Sequence, residues 1–231
     1  MQGYILNTAP VKNEDLIVHI LTPVSIKRLY RFYGSRHSIV HRGKKIDFEE
    51  EGNGLFLPKL RNVVHLGFAW EKSLDRVYVW QRFIGLLHKH LWEVYALDSF
   101  YFEMLQKGGE KMHRQNPLRV GLEMYAELLG FEGRAEHTSP YIQGERYQSI
   151  GIDTPSAKNE SERGGETCFV CGERLGARIS LGRAFLFAHP YCIGGRVFVK
   201  DMILEFLALK SALHVPDGEV EGLWEVLIKG F

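Results

Sequence analysis

The sequence predicts an α+β fold, in which a small N-terminal β-barrel precedes a mostly helical domain that carries a cysteine-rich knuckle. Three observations lead to this prediction. Short stretches with strand-like alternation fill roughly the first 70 residues, apolar residues then recur at helical steps, and three cysteines lie close together near the C-terminal end. We expect domains at 1–72 and 73–231, with the cysteine-rich module at about 166–195.

Five short strands account for the first domain. Alternating and β-branched residues predict strands over 2–8, 16–21, 26–33, 44–50 and 60–66. Pro23 ends the second strand, because proline has no N–H to donate to a β-ladder. Five strands in so few residues are typical of an OB-type barrel, whose exposed strand face and flanking loops bind single-stranded nucleic acid.

One window of this barrel concentrates positive charge. Between Val24 and Ile46 there are seven Lys or Arg and no Asp or Glu, although the chain of 231 residues has a net charge of only +1. That near-neutral balance excludes a uniformly basic binder and leaves a local patch. Cations interleaved with aromatic rings suit nucleic acid, because cations hold phosphates and rings stack on bases. The candidate DNA contacts are Lys27, Arg28, Tyr30, Arg31, Phe32, Tyr33, Arg36, His37, Lys44 and Lys45.

Strand alternation divides this window between two faces of the barrel. The even-numbered residues from Arg28 to Phe32 share one face, and the odd-numbered residues from Lys27 to Tyr33 share the other. One of the two sets must help to close the barrel, so about half of the aromatic candidates are expected in the core. An ordinary edge strand with a solvated basic face would explain the same pattern without any ligand.

Helical periodicity replaces the strand pattern after Trp70. Apolar residues at three- and four-residue steps predict helices over 77–94, 118–129, 199–207 and 220–227. The glycine pair near the start of 107–116 predicts a loop there. Trp80 and Trp92 are expected in the core.

The segment 133–166 is poor in apolar residues and rich in Gly, Ser, Pro and charge. We expect it to form a long excursion that is at least partly mobile.

The cysteines have the spacing of a metal site. Cys168 and Cys171 form a Cys-x-x-Cys-Gly knuckle, and His189 and Cys192 form a His-x-x-Cys pair after 17 intervening residues. Structural zinc takes four N or S ligands in such spaced pairs. The sequence therefore predicts a structural Zn²⁺ held by Cys168, Cys171, His189 and Cys192.

Other interpretations of the cysteines stay open. The knuckle could be a redox dithiol, which would need a thioredoxin-like βαβ context, or the cysteines could be small buried hydrophobes without metal. A small zinc-dependent hydrolase or redox enzyme would use Cys168, Cys171 and Cys192. The sequence has no His-Glu-x-x-His motif, no phosphate-binding glycine loop and no nucleophile elbow, which favours a non-enzyme. An adaptor whose barrel contacts only protein is a further alternative.

Composition also indicates where the protein acts. The first residues lack a charged segment followed by a long apolar run, and no stretch approaches the ~20 apolar residues of a membrane-spanning helix. Three cysteines are an odd number and do not form a disulfide framework. We therefore expect a cytoplasmic protein with reduced thiols.

Several segments, taken in order, resemble the RecO family of bacterial recombination mediators, and most closely its members from epsilon-class proteobacteria. These segments are Gly-Tyr-Ile-Leu at 3–6, Glu-Asp-Leu-Ile-Val at 14–18, Tyr-Gly-Ser-Arg-His-Ser at 33–38, Leu-Leu-Gly-Phe at 128–131, and the knuckle from Cys168 to Gly172. The resemblance implies an N-terminal OB domain, a helical domain and a zinc module. In place of the family's fourth cysteine, this chain has His189.

The same resemblance implies what the protein does. RecO proteins are not enzymes. They bind single- and double-stranded DNA, anneal complementary strands, and contact RecR and the C-terminal tail of the single-strand DNA-binding protein. By these contacts they help RecA to replace that protein on single strands, which implies association with the nucleoid. The pocket for the tail is expected in the helical domain.

Overall fold

A closed five-stranded barrel occupies the first part of the computed structural model, which describes residues 1–36, 39–52, 54–94, 97–134 and 167–231. Its strands are β1 (Gln2–Pro10), β2 (Leu16–Leu21), β3 (Ile26–Arg31), β4 (Lys45–Glu51) and β5 (Lys59–His65). Around the barrel they follow the order β1-β2-β3-β5-β4, and β4 pairs with β1 to close it. The pair β3–β5 is parallel and the other pairs are antiparallel. The predicted fold class, an OB-type barrel followed by helices, is confirmed.

Alternation produces this barrel as predicted, since each strand directs every second side chain inward. The β2 bounds are those predicted, and the other four strands differ by at most two residues at either end. The barrel interior is filled by aliphatic side chains and one phenylalanine, namely Ile5, Leu16, Val18, Ile20, Leu29, Val40, Ile46, Phe48 and Leu60.

Six helices follow within the described residues. They are α1 (Leu74–His90), α2 (Phe100–Lys111), α3 (Pro117–Phe131), α4 (Pro190–Ile193), α5 (Lys200–Leu209) and α6 (Asp217–Leu227). A three-stranded sheet with the order β7-β6-β8 lies between α3 and α5 in the chain. Its strands are β6 (Arg178–Leu181), β7 (Phe187–Ala188) and β8 (Val197–Val199), which the sequence did not predict because two to four residues give too short an alternation.

The described chain divides into two compact units, Met1–Met124 with Phe231 and Tyr125–Gly230. The domain boundary expected between residues 72 and 73 stays a prediction. The predicted excursion at 133–166 lies, from residue 135 onward, outside the described residues. None of the helices in the described ranges is long and apolar enough to cross a membrane.

Helix α1 packs on the barrel through large rings in the first unit. Tyr4 of β1 is fully buried, and its ring lies 6.1 Å from that of Trp80 and 5.3 Å from that of Phe102. The Trp80 indole N–H donates to the Gly43 carbonyl over 2.8 Å, which ties the helix to the chain that enters β4. The prediction that Trp80 lies in the core is therefore confirmed.

The predicted loop at 107–116 is wrong over its first half, because α2 continues through the glycine pair to Lys111, and the chain leaves helical structure only over 112–116. Both glycines are buried, and close neighbours explain why they have no side chains. A Cβ on Gly108 would lie 2.1 Å from the Met124 sulfur, and one on Gly109 would lie 2.5 Å from the Phe68 ring. Here glycine serves close packing and does not break the helix.

The first predicted helix is also too long at its C-terminal end. It ends at His90, so Trp92 lies in the turn that follows and is 58% exposed. The expectation that Trp92 lies in the core is wrong. The apolar pattern continued past the helix, and periodicity does not distinguish a core position from an exposed ring in the next turn.

Two buried histidines join β2 to α1. His19 Nδ1 and His88 Nε2 lie 2.9 Å apart, so one neutral ring donates to the other. Burial, followed by the charges of His19 and Arg42, lowers the pKa of His88 to about 4. Burial and the charge of Arg28 lower the pKa of His19. Both rings are therefore neutral near pH 7, where their contact stabilises the packing of α1 on the barrel.

We expect Gly109→Ala to destabilise the protein by about 1–3 kcal/mol, because the added methyl group overpacks against Phe68. Helix propensity alone predicts the opposite sign, a gain of about 1 kcal/mol. The matched control is Gly85→Ala in α1, where a Cβ meets only the flexible end of Arg42 at 3.2 Å. Urea unfolding of both variants measures the difference, and a stabilised Gly109→Ala protein would contradict this packing.

We expect the melting temperature to fall as the pH drops from 7 towards 5. The pKa of His88 is about 4 in the folded state and about 6.5 when unfolded, so the unfolded chain binds more protons in this window. The stabilisation is present above pH 6.5 and is lost below it. Replacing both rings, in His19→Leu with His88→Leu, should flatten this dependence in calorimetric scans. If the melting temperature of the double variant falls equally steeply with pH, groups other than these two histidines cause the pH dependence.

Candidate functional site

The Cys-x-x-Cys segment forms a tight knuckle in the second unit. The Gly172 N–H donates to the Cys168 carbonyl over 2.8 Å, and the Cys168 N–H donates to the Glu173 carbonyl over 2.8 Å. Gly172 has a φ of +75°, a left-handed conformation that glycine adopts without strain. A β-bridge between Thr167 and Arg174 closes the loop below the two sulfurs. This turn brings the first two thiols together.

The three-stranded sheet positions the second pair of candidate ligands, His189 and Cys192. Strand β7 ends at Ala188, so its pairing with β6 delivers His189 to the knuckle, and Cys192 follows in α4. The Cys171 sulfur lies 3.4 Å from His189 Nδ1, and the Cys192 sulfur lies 3.9 Å from the same atom. All four ligand atoms lie within 4.8 Å of one another. Tetrahedral zinc with these ligands would separate them by about 3.5–3.8 Å, so the cluster could hold a metal ion.

The tautomer of His189 favours metal binding. His189 Nε2 lies 3.1 Å from the Arg174 carbonyl oxygen, which can only accept, so Nε2 carries the proton. Nδ1 then directs its lone pair towards the three sulfurs. This second hydrogen bond is the arrangement that orients histidine ligands in metal sites.

The pKa values of two of the thiols, Cys168 and Cys192, are shifted in opposite directions. Burial raises the pKa of Cys168, but hydrogen bonds from the backbone N–H groups of Cys171, His189 and Val170 outweigh it and lower this pKa to about 6. Burial and hydrogen bonds with the other two thiols raise the pKa of Cys192 to about 12. Three neighbouring thiolates repel one another unless a cation joins them. The donor set therefore fits a thiophilic divalent ion such as zinc.

The basic window lies on β3 and the turn after it. Leu29 is fully buried in the barrel core, so within β3 the odd-numbered residues point inward and the even-numbered residues point outward, whereas Tyr33 lies beyond the strand and is exposed. Arg28 is exposed, and Phe32 is 44% exposed just beyond the strand. The outward face of β3 therefore carries the even-numbered residues, from Arg28 through Tyr30 to Phe32.

Tyr30 and Phe32 form an aromatic pair outside the barrel. Their rings meet edge to face, with centroids 4.9 Å apart and planes at 70°. The Tyr30 hydroxyl donates to Asp15 over 2.5 Å, and this hydrogen bond raises the pKa of Tyr30. The Lys59 ammonium lies 5.7 Å from the centre of the Phe32 ring.

Sequence reasoning missed Lys59. It lies outside the basic window, and only the parallel pairing of β3 with β5, at Tyr30 and Lys59, brings it there. No local pattern predicts a parallel contact between strands so far apart in the chain.

Several predicted cations are held by carboxylates from outside the window. Lys27 lies 3.1 Å from Glu50, Arg36 pairs with Glu14, and Lys44 pairs with Glu71. Within the described residues, Arg28 makes no ion pair. The basic window is therefore partly neutralised in the fold. Among the described residues, Arg28 is one of its cations without a carboxylate partner, together with Arg31, Arg42 and Lys45.

The remaining predicted contacts have mixed environments. Arg31 donates to the Leu60 carbonyl over 2.9 Å, and burial together with the charge of Arg61 lowers its pKa. Lys45 donates to Gln106 over 2.7 Å. Tyr33 is 54% exposed and lies beneath the Arg36 guanidinium at 5.2 Å. His37 lies outside the described residues.

The fold and the site define a class of protein, an OB-type barrel protein with helices and a Cys3His cluster. Residues 1–71 match the family model described as RecO N terminal. This match supports membership of the RecO family and, in general terms, a role in DNA recombination and repair. The comparison with curated proteins found no match.

We expect the purified protein to carry about one zinc ion per chain, because four ligands close a tetrahedral site. His189→Ala and Cys192→Ser should lower the zinc content in elemental analysis, and His189→Cys should retain it. His214→Ala is the matched control, since His214 lies in the same unit near Glu205 and outside the cluster. Full zinc content in His189→Ala would remove His189 from the ligand set.

Proposed function

We propose that this chain is a non-catalytic recombination mediator. It binds single- and double-stranded DNA, anneals complementary strands, and helps to load RecA onto strands coated with single-strand DNA-binding protein during recombinational repair. The observation that carries the proposal is the barrel at 1–71, which matches RecO N terminal and has cations and rings on the outward side of β3. In OB folds the face of the second and third strands binds oligonucleotides.

The proposed DNA contacts have two kinds of role. Arg28 and Lys59 neutralise phosphates, and Tyr30, Phe32 and Tyr33 are the rings available to bases. Lys27, Arg36 and Lys44 exchange a carboxylate for a phosphate when DNA binds, so each contributes less than an unpaired cation would. Arg31 and Lys45 are positioned by hydrogen bonds to Leu60 and Gln106, which makes them supports of the barrel surface.

The metal has a structural role in this proposal. Zn²⁺ bound by Cys168, Cys171, His189 and Cys192 has no open coordination position, whereas a catalytic zinc keeps one for water or substrate. This favours the mediator over the alternative of a zinc-dependent hydrolase or redox enzyme. The ion would hold the knuckle and the start of α4 together.

The proposed partners are RecR and the C-terminal tail of the single-strand DNA-binding protein, which follow from the family. We propose residues 1–72 as the DNA-binding domain and 73–231 as the domain that carries the zinc module and the partner contacts. The proposed location is the cytoplasm, in association with the nucleoid.

An annealing assay tests the proposal most directly. Complementary oligonucleotides coated with single-strand DNA-binding protein should anneal faster when the full chain is added, with no covalent change in the DNA. Activity that survives mild chelation while the fold is intact would fit a structural ion. Metal-dependent turnover of a substrate would instead support the enzyme, and absence of DNA binding at any salt concentration would support a protein adaptor.

We expect Arg28→Ala with Lys59→Ala to weaken binding of a labelled oligo-dT and to flatten its salt dependence. For each phosphate of the single strand that the variant no longer neutralises, the slope of log K against log salt should fall by about 0.7. The matched control is Arg61→Ala, which removes an exposed cation that pairs with Glu51 on β4. Fluorescence anisotropy over a salt series measures the slope. An unchanged slope in the double variant would refute the assignment to this face.

A further inference from the structure

Trp92 is an exposed tryptophan that the proposed function has not used. The other three tryptophans of the chain, Trp70, Trp80 and Trp224, have exposed fractions of 5%, 2% and 7%, whereas Trp92 is 58% exposed. An indole is large and apolar, so leaving most of it in water forgoes hydrophobic stabilisation. The exposure of Trp92 therefore makes this ring a candidate for contact with a ligand.

The Trp92 ring is held in place from one side. The His19 ring stacks on it, with centroids 5.9 Å apart and planes at 21°, and the His88 ring meets it edge-on at 5.4 Å. These two histidines are buried and bonded to each other over 2.9 Å. One side of the indole is thus fixed against a rigid pair, and ordering it for a ligand costs little conformational entropy.

The position of Trp92 continues the outward face of β3. His19, on which the indole stacks, pairs across the strands with Arg28. From Arg28 the outward row runs through Tyr30 to Phe32, a distance of ~13 Å at the usual rise of a strand. At the far end of this row lies Lys59. Rings and cations therefore follow one another along one side of the barrel, all within the first unit.

We propose that Trp92 is a base-stacking platform at one end of a single-strand path along β3. The proposal rests on the proposed function and adds a ring that lies outside the barrel and outside the basic window. A base stacks on the free side of the indole while Arg28, which has no carboxylate partner among the described residues, neutralises the adjoining phosphate. Because every base has a π-face, this platform accepts any sequence of single-stranded DNA and excludes paired bases.

Tryptophan emission gives a direct test with the full chain and a short oligo-dT. Since the other three indoles are buried, binding should quench the Trp92 contribution, and Trp92→Phe should abolish the quenching. In anisotropy titrations Trp92→Ala should lower affinity by about 5- to 150-fold, the range expected for one stacked base. Trp92→Phe should retain most of the affinity because it keeps a ring.

The matched control is Tyr78→Ala, which removes a 66% exposed aromatic ring from the opposite end of α1. It should bind as the wild type does. Melting temperatures of all variants separate an effect on stacking from an effect on folding. If Trp92→Ala and Trp92→Phe lose affinity equally and melt early, the ring is structural and the platform is refuted.

The two proposals fail in different ways. Salt-dependent binding by the wild type, with unchanged emission and normal affinity in Trp92→Ala, would overturn the platform and leave the mediator function intact. Absence of oligo-dT binding by the wild type at low salt would overturn the proposed function itself, and the platform with it.

Discussion

The parallel contact between β3 and β5 is the constraint on which the rest of the first unit depends. Together with the pairing of β4 with β1, it closes the sheet, so that neither β3 nor β5 keeps a free edge. The register of β3 against β2 determines which side of β3 faces outward. Leu29 then enters the core, while Arg28 and Tyr30 are directed to the outside. The parallel contact between β3 and β5 places Lys59 beside these rings. This one parallel contact therefore contributes both to the closure of the barrel and to the composition of the proposed binding face.

Charge within the barrel is balanced by contacts between distant segments. Glu14, Glu50 and Glu71 come from outside the basic window, yet each holds one of its cations. These pairs weaken the attraction for phosphate, because a ligand must displace a carboxylate before it can bind the cation. DNA binding at the proposed face would therefore depend more on ring stacking than on net charge. That dependence agrees with a chain whose net charge is only +1.

Local patterns predicted what local physics decides. Alternation was sufficient to predict β2, because the face of a strand is a short-range property. Spacing was sufficient to predict the cluster of Cys168, Cys171, His189 and Cys192, because each ligand pair lies within one turn. Gly109 and Lys59 could not be placed in this way. Position 109 of the helix is a glycine because the Phe68 ring occupies the space that a side chain would need. Lys59 reaches the aromatic pair only through the pairing of β3 with β5. Both facts belong to the tertiary fold.

Metal binding at the cysteine cluster would be coupled to folding of the second unit. Strand β7 has two residues and α4 has four, so neither segment is stable alone. Their position depends on the bond from the Phe169 N–H to the Phe187 carbonyl at 3.0 Å and on the contact of the His189 N–H with the Cys168 sulfur at 3.4 Å. Without a cation, ionising several thiols here costs free energy through mutual repulsion. A bound divalent ion would reverse the sign of that interaction, so the cluster would oppose folding when its thiols are ionised without metal and would stabilise the fold with metal bound.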